Sequence, residues 1–340
     1  MSPAPHIAVL AQEVVAALAP CEGGIYIDAT FGSGGYTKAV LQTADCAVLA
    51  IDRDPHVFTF AQELKAHYGD RLHFCAACFG DMVEVAQNAG FDNVDGVMLD
   101  LGVSSMQLDD GTRGFSFMRD GPLDMRMGEE GLTAQDLVND ANMDLLATII
   151  AVYGEERRAR AIARAIIHRR EQGDITRTHE LSDIICSILG QPRPRETHPA
   201  TRTFQALRIY LNDELGELLK ALTNAEQILK EGGTLAVVTF HSLEDRMVKQ
   251  FLTARSAYAP RPSRHLPEAE EVAPRFVLKK RKPISAQQTE IDNNPRARSA
   301  RLRVAHRTNA PAYDETIGDL MPNRAPRIQD YRQDYMEATS

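Results

Sequence analysis

Three aspartates, Asp28, Asp52 and Asp100, each close a short apolar run in this 340-residue chain. Between the first two lies a glycine-rich turn, Asp28-Ala29-Thr30-Phe31-Gly32-Ser33-Gly34-Gly35-Tyr36. Glycines at such a turn let the backbone approach a ligand, because no Cβ intervenes and φ can be positive. Asp52 follows Gly32 by twenty residues, the spacing at which a strand-end carboxylate accepts hydrogen bonds from ribose hydroxyls. Nicotinamide dinucleotides and S-adenosylmethionine both present such a ribose, so the glycines alone do not separate them. Two details do. A dinucleotide fingerprint wants a third glycine at position 37, which is Thr37, and its pyrophosphate wants an anion-friendly turn. Asp28 repels a pyrophosphate and attracts the ammonium and sulfonium of S-adenosyl-L-methionine.

The elements that must hold these residues follow from the apolar pattern. Strands are predicted at 25–28, 47–51, 71–76 and 94–100, alternating with helices near 36–42, 55–67 and 80–89. That rhythm implies an α/β fold, a doubly wound, Rossmann-like parallel sheet with ligands outside the carboxyl ends of its strands. Asp28, Asp52 and Asp100 then meet at one electronegative edge. From about Ser104 to about Glu217 the rhythm stops. A glycine- and charge-rich loop, Gln107 to Met127, precedes helical patterns at 133–139, 144–152, 155–171 and 178–189. A long helix at 203–230, a strand at 234–240 and a helix at Ser242–Leu252 resume the sheet pattern. Thr253–Pro274 is a Pro-rich connector, and the alternation over 299–307 suits a strand closing the sheet edge. The middle therefore reads as an inserted all-helical domain: sheet domain 1–104 and 218–309, insertion 105–217, polar and mobile tail 310–340.

Composition bounds the rest. Hydrophobic residues make up 44% and charged residues 25%, ordinary for a soluble globular protein. No apolar run is long enough to span a membrane, and Ile7–Leu18 reads as an amphipathic helix rather than a signal peptide. Five cysteines, odd in number and scattered, argue for a reducing, cytoplasmic setting. Cys75 and Cys78 form a CxxC without a second ligand pair, so no metal site is expected.

The net charge is −9, yet the cations are clustered. Arg157, Arg158, Arg160, Arg164, Arg169 and Arg170 share the 155–171 helix, opposite Ala159, Ile162, Ala163, Ile166 and Ile167. A second cluster runs from Lys279 to Arg307, and a third comprises Arg193, Arg195, His198, Arg202 and Arg208. Basic clusters in an acidic chain suit a focused phosphate-binding surface, hence a nucleic-acid partner. His241, Ser242 and Glu244 invite a hydrolase reading, but no G-x-S-x-G elbow is present, and a strand-end loop at the pocket mouth fits better. Amino-group methyltransferases usually carry Asn/Asp-Pro-Pro-aromatic after the fourth strand; here Asp100-Leu101-Gly102-Val103-Ser104-Ser105 stands there. The residues themselves therefore lead to a nucleic-acid methyltransferase. The rival is an RNA-binding or assembly protein with a vestigial cofactor site, against which the intact Asp28, Gly32, Gly34 and Asp52 speak.

Five longer words sharpen this: Asp100–Ser105; Arg113-Gly114-Phe115-Ser116-Phe117 with Gly121-Pro122-Leu123-Asp124-Met125-Arg126; His198–Arg208; Phe240-His241-Ser242-Leu243-Glu244-Asp245-Arg246; and Asn294-Pro295-Arg296-Ala297-Arg298-Ser299. Together, over roughly His6 to Asn309, the chain resembles the RsmH (MraW) family of bacterial 16S ribosomal RNA cytosine-N4 methyltransferases. The resemblance implies a class I methyltransferase domain split by a helical insertion. It implies a cytidine in the decoding region of the small ribosomal subunit as substrate, with no obligate protein partner evident. It puts S-adenosylmethionine contacts on Gly34, Gly35, Tyr36, Asp52, Phe79, Asp100 and Gln107. The chain departs from the family at Tyr36, often His there, and at Ser33, often Arg. Asp100 is the candidate catalytic acceptor for the cytosine amine; serving only the cofactor ammonium is the equal alternative. Phe115 and Phe117 are candidate platforms for an extruded base or else core packing. His198 and His241 line the base pocket or are structural hydrogen-bonders, and Arg157, Arg160, Arg164 and Arg202 are the candidate phosphate contacts.

Overall fold

The computed structural model describes residues 8–194, 196–256, 273–313 and 320–331. Arg195, most of the Thr253–Pro274 connector and much of the 310–340 segment thus lie outside the described residues. The chain forms two compact units, one of Met1–Gly102 with Glu217–Leu320, the other of Val103–Gly216 with Met321–Ser340.

The first unit opens with α1 (Ala11–Leu18), β1 (Ile25–Asp28), α2 (Gly35–Thr43), β2 (Ala47–Asp52), α3 (Phe58–Tyr68), β3 (Leu72–Ala76), α4 (Met82–Asn88) and β4 (Val94–Asp100). The strands pair in parallel in the order β3-β2-β1-β4. Tyr26, Ile27, Val48, Leu49, Ala50, Ile51, Val97, Met98 and Leu99 are buried, because helices cover both faces of such a sheet; the apolar runs are continuous for that reason. α3 starts later than the expected residue 55. Asp54 accepts from the His56 N–H at 3.0 Å and opens a 3-10 turn over Pro55–Val57 instead.

The second unit carries α5 (Ser105–Asp109), α6 (Ala134–Asp140), α7 (Met143–Tyr153), α8 (Ala159–Arg170), α9 (Thr178–Leu189) and α10 (Thr201–Leu211). Ile149, Ile150, Ile162, Ile166, Leu181, Ile185 and Leu207 form its core. α8 begins at Ala159 rather than 155, since Glu155 takes a left-handed φ of 48° and Glu156 accepts from the Arg158 N–H at 2.8 Å. The expected single helix over 203–230 is two helices, α10 and α11 (Glu214–Ile228). Asn212 breaks it: its Oδ1 accepts from the Met127 N–H at 2.9 Å and its Nδ2 donates to the Met125 carbonyl at 2.8 Å. Asp213 follows at φ 48°, a conformation that ends a right-handed helix.

The chain returns to the sheet within α11 and continues as β5 (Leu229–Thr239), α12 (Ser242–Ala254), β6 (Phe276–Val277), β7 (Ile284–Ser285), α13 (Gln288–Asn293) and β8 (Arg301–Arg307). The sheet order is β3-β2-β1-β4-β5-β8-β6, with β7 also paired to β8. β8 runs antiparallel to β5 but does not close the sheet; the two-residue strands β6 and β7 lie outside it. Very short outer strands leave little unpaired backbone for another chain to join. Strand order reverses between β1 and β4, the switch point at which open α/β sheets bind ligands. The segment read as a polar tail is partly packed: Ala310 and Ile328 are buried, and the Tyr313 ring lies 4.0 Å from the Arg255 and 3.7 Å from the Arg275 guanidinium, a cation–π arrangement. Among the described residues no helix is long and apolar enough to cross a membrane.

Candidate cofactor and substrate site

The turn from β1 to α2 is built by two left-handed glycines, Gly32 at φ 54° and Gly34 at φ 77°. Space constrains Gly34 as well, since a Cβ there would lie 2.3 Å from Leu64 Cδ1 and 2.8 Å from Phe31 Cε2. At Gly35 a Cβ would meet that of Ala8 at 2.7 Å. Asp52 braces this turn from the end of β2. Its Oδ2 accepts from the Gly32 N–H at 2.7 Å and its Oδ1 from the Asp54 N–H at 2.9 Å. Burial raises its pKa, and the two amides oppose that rise.

At the switch point the acids are packed rather than displayed. Asp28 is wholly buried; its Oδ2 accepts from the Thr37 hydroxyl at 2.7 Å and N–H at 3.2 Å, its Oδ1 from the Thr30 N–H at 3.3 Å. Thr37, the residue in place of a third glycine, thus ties α2 to β1. Asp28 shapes the turn, and burial pushes its pKa up to about 6. Asp100 donates its N–H to the Thr30 hydroxyl at 2.6 Å. Its Oδ1 is shut from solvent with no hydrogen-bond partner among the described residues. Burial, with Asp28 and Glu244 adding negative charge, holds this carboxyl well above the usual range. The buried Tyr36 hydroxyl donates to the Val9 carbonyl and stands beside Asp100, partly offsetting the rise. A buried carboxylate oxygen without a donor is destabilising on its own. A cation or an N–H donor relieves it, so the site fits a ligand bearing an ammonium or amine.

Glu244 and His241 belong to the start of α12. The Glu244 carboxylate accepts from the Phe240 and His241 N–H groups at 2.9 and 3.2 Å, and His241 Nδ1 accepts from the Glu244 N–H at 3.4 Å. His241 Nε2 lies 3.0 Å from Glu244 Oε1. The histidine is thus a helix cap at the end of β5, the strand beside β4. Half-buried Phe79 opens a 3-10 turn after β3, and α11 clamps that turn. The Gly80 N–H donates to Glu217 Oε2 at 3.1 Å, and Asn224 Nδ2 donates to the Gly80 carbonyl at 2.5 Å.

In the second unit, Gln107 is the third helical residue of α5 and completes a capping box. Its Oε1 accepts from the Ser104 N–H at 2.9 Å, and Ser104 Oγ accepts from its N–H at 3.2 Å. Phe115 is core, 6% exposed, with the Arg113 guanidinium 5.8 Å from its ring. Phe117 is half-buried and stacks on His198, centroids 4.4 Å apart and planes 20° apart, with Phe204 edge-on at 5.2 Å. Burial lowers the His198 pKa, which keeps the ring neutral and stackable. Arg202 is exposed and donates to the Glu155 carbonyl at 3.2 Å.

The clustered cations divide into braces and exposed ones. At the start of α8 Arg158 donates to the Ile188 carbonyl, and on the helix Arg169 donates to Glu180 and Arg170 to the Val138 and Ala141 carbonyls. Arg160 pairs with Asp144 at 3.1 Å. Arg157 and Arg164 are exposed and have no ion pair among the described residues. Arg208 pairs with Glu214 at 2.7 and 2.9 Å. In the sheet unit Arg303 grips Asp245 at 2.7 and 3.0 Å, while Lys279, Lys280, Arg281 and Lys282 are exposed.

Sequence reasoning did not single out Thr30, Glu217 or Asn224, and passed over Thr37 and Glu244 as chemistry. Glu244 carries a local signal, an acid three residues after a cap, although His is an unusual cap. Glu217 carries none, because its partner Gly80 is 137 residues away.

Residues 3–308 match the MraW methylase family. The chain is 55% identical over 327 residues to the ribosomal RNA small subunit methyltransferase H of Parvibaculum lavamentivorans, covering 96% of each protein. It is 56% identical over 312 residues to the protein of that name from Methylobacterium nodulans, covering 90% of this chain and 91% of the relative. The glycine turn, the switch-point carboxylate that needs a cationic or amine donor, and matches along almost the whole chain agree: the protein belongs to the MraW methylase family, a methyltransferase whose methyl donor is S-adenosyl-L-methionine.

Proposed function

We propose that the protein methylates N4 of a cytidine in the decoding region of 16S ribosomal RNA, with the assembled small subunit in the cytoplasm as substrate. The names of its relatives support ribosomal RNA of the small subunit. The observation that carries the amine is Asp100, with one buried oxygen left to accept an N–H where other amino-methyltransferases place a Pro-Pro-aromatic motif. In this reading the sheet unit (1–104 and 218–309 from sequence) holds the cofactor and the helical insertion the RNA.

The cofactor supplies an electrophilic methyl group on a sulfonium. Gly32, Gly34 and Gly35 would admit it to the backbone, Asp52 would take its ribose, and Phe79 would be a further contact. Asp28 and Asp100 favour its cationic end. Gln107, with its amide oxygen engaged in the cap, would contribute through its remaining amide atoms. The cytosine amine is a poor nucleophile because its lone pair is delocalised into the ring. Asp100 Oδ1 would accept one amine N–H, aligning the nitrogen and stabilising the positive charge that develops on it as the N–C bond forms, the methyl C–S bond breaks and the donor leaves as a neutral thioether. The displaced proton has Asp100 Oδ1 as its first acceptor. His241, fixed by Glu244, would border the base; Phe117 with His198 would give an aromatic surface, and Arg157 and Arg164 would meet phosphates, with Arg160 shared with Asp144 and Arg202 with Glu156.

Small subunits lacking the modification, incubated with enzyme and labelled donor and digested to nucleosides, test this. Label in N4-methylcytidine is expected. Label in 5-methylcytidine or in a purine would sink the amine assignment while leaving the cofactor site intact.

A further inference from the structure

The loop between α5 and α6 is pinned at several points. Gly111 and Gly121 touch so closely that a Cβ on Gly121 would lie 1.7 Å from the Gly111 carbonyl oxygen. The Gly121 N–H donates to Thr178 Oγ1 at 3.1 Å, and the Thr178 hydroxyl donates to the Arg119 carbonyl at 3.1 Å. Asp120 pairs with Arg177 and accepts from the His179 N–H at 3.2 Å. Within the loop, Ser116 Oγ accepts from the Met118 N–H at 3.1 Å.

On this fixed backbone two neighbours point apart. Phe117 turns inward onto His198 and Phe204. Met118 turns outward and is 73% exposed, against 53% for Phe58 and 51% for Val277, the other exposed large hydrophobics among the described residues. A mobile loop exposes an apolar side chain only part of the time. A pinned loop holds it in water permanently, which folding does not reward. The side chain is unbranched and polarisable, suited to sliding between flat apolar surfaces. Arg119 beside it is also exposed, with one guanidinium nitrogen donating to the Asp109 carbonyl, and a cation next to an apolar tip suits a partner whose apolar faces are flanked by phosphates. Stacked nucleobases are such a partner.

We propose that Met118 is a wedge, entering the RNA stack beside the target nucleotide and filling the space its base leaves on extrusion. This rests on the cytidine-methylation reading above. The experiment uses small subunits lacking the modification whose rRNA carries 2-aminopurine next to the target cytidine. Enzyme with S-adenosylhomocysteine is added and the fluorescence of unstacking read; single-turnover methyl transfer is measured in parallel. Wild type should raise the fluorescence. Met118→Ala should lose most of that rise and slow transfer about tenfold, with unchanged cofactor affinity, and Met118→Leu should keep both. Equal fluorescence and rate for Met118→Ala overturn the wedge. A slowed Met118→Ala that still unstacks the probe also overturns it, and points to docking on a ribosomal protein. Wild type that methylates no cytidine overturns the underlying reading, and the wedge with it.

Discussion

Asp52 accepts from the Gly32 and Asp54 amides, so it braces the turn beside which the proposed ribose contact would form. Asp52→Ala should therefore weaken S-adenosylmethionine binding by ~2–3 kcal/mol through lost charged hydrogen bonds, read by calorimetric titration, with the fold retained. An unchanged affinity would remove the cofactor from this strand end. Asp28 sets a pH dependence whose sign can be worked out. Its pKa is about 6 when folded, against an ordinary 3.8, so between those values the folded state binds the extra proton. Its contribution to stability is full below about pH 4 and is lost as pH rises through about 6. Thermal melts from pH 4 to 7 should show that decline in wild type and a flatter profile in Asp28→Asn. The same rise in pH charges the site, so affinity for the cationic cofactor should increase from about pH 5.5 to 7.5. Asp28, Asp52 and Asp100 were legible in the sequence because each ends an apolar run. Their partners were not: whether a carboxylate faces a ligand or a threonine depends on side-chain direction, which spacing does not encode.

Elements were most legible where burial is two-sided. The continuous apolar runs of β1, β2 and β4 leave no competing pattern, whereas the 203–230 stretch is helical in pattern on both sides of Asn212 and conceals a break made by distant Met125 and Met127. α8 shows the same limit for charge. Its arginines look alike in sequence, yet Arg158, Arg169 and Arg170 brace the insertion through carbonyls and Glu180. Only exposed cations can release counterions from RNA. Reversing Arg157 and Arg164 together should flatten the salt dependence of substrate binding by about 0.7–0.9 in slope per arginine, with cofactor affinity unmoved. A slope identical to wild type would mean that Arg157 and Arg164 meet solvent alone.

For the whole molecule, exposed cations occur in both units, at Arg157 and Arg164 and at Lys279 to Lys282. An rRNA not held in the folded shape of the subunit is expected to engage fewer of them at once. Methyl transfer to assembled small subunits should accordingly exceed transfer to protein-free 16S rRNA by tenfold or more at moderate salt; equal rates would assign recognition to local sequence alone. The strand rhythm lapses after β4 because a parallel sheet demands regular alternation and a run of helices does not. The packing of Ala310 and Ile328 was not readable, since isolated apolar residues in a polar segment form no periodic pattern. The split has a consequence during synthesis. Val97 pairs with Leu235, so when β4 leaves the ribosome its partner strand has not yet been translated. At typical elongation rates that interval lasts on the order of ten seconds. Through it the nascent half-sheet keeps an apolar, hydrogen-bonding border open, a surface for chaperones to cover until the second half of the gene has been read.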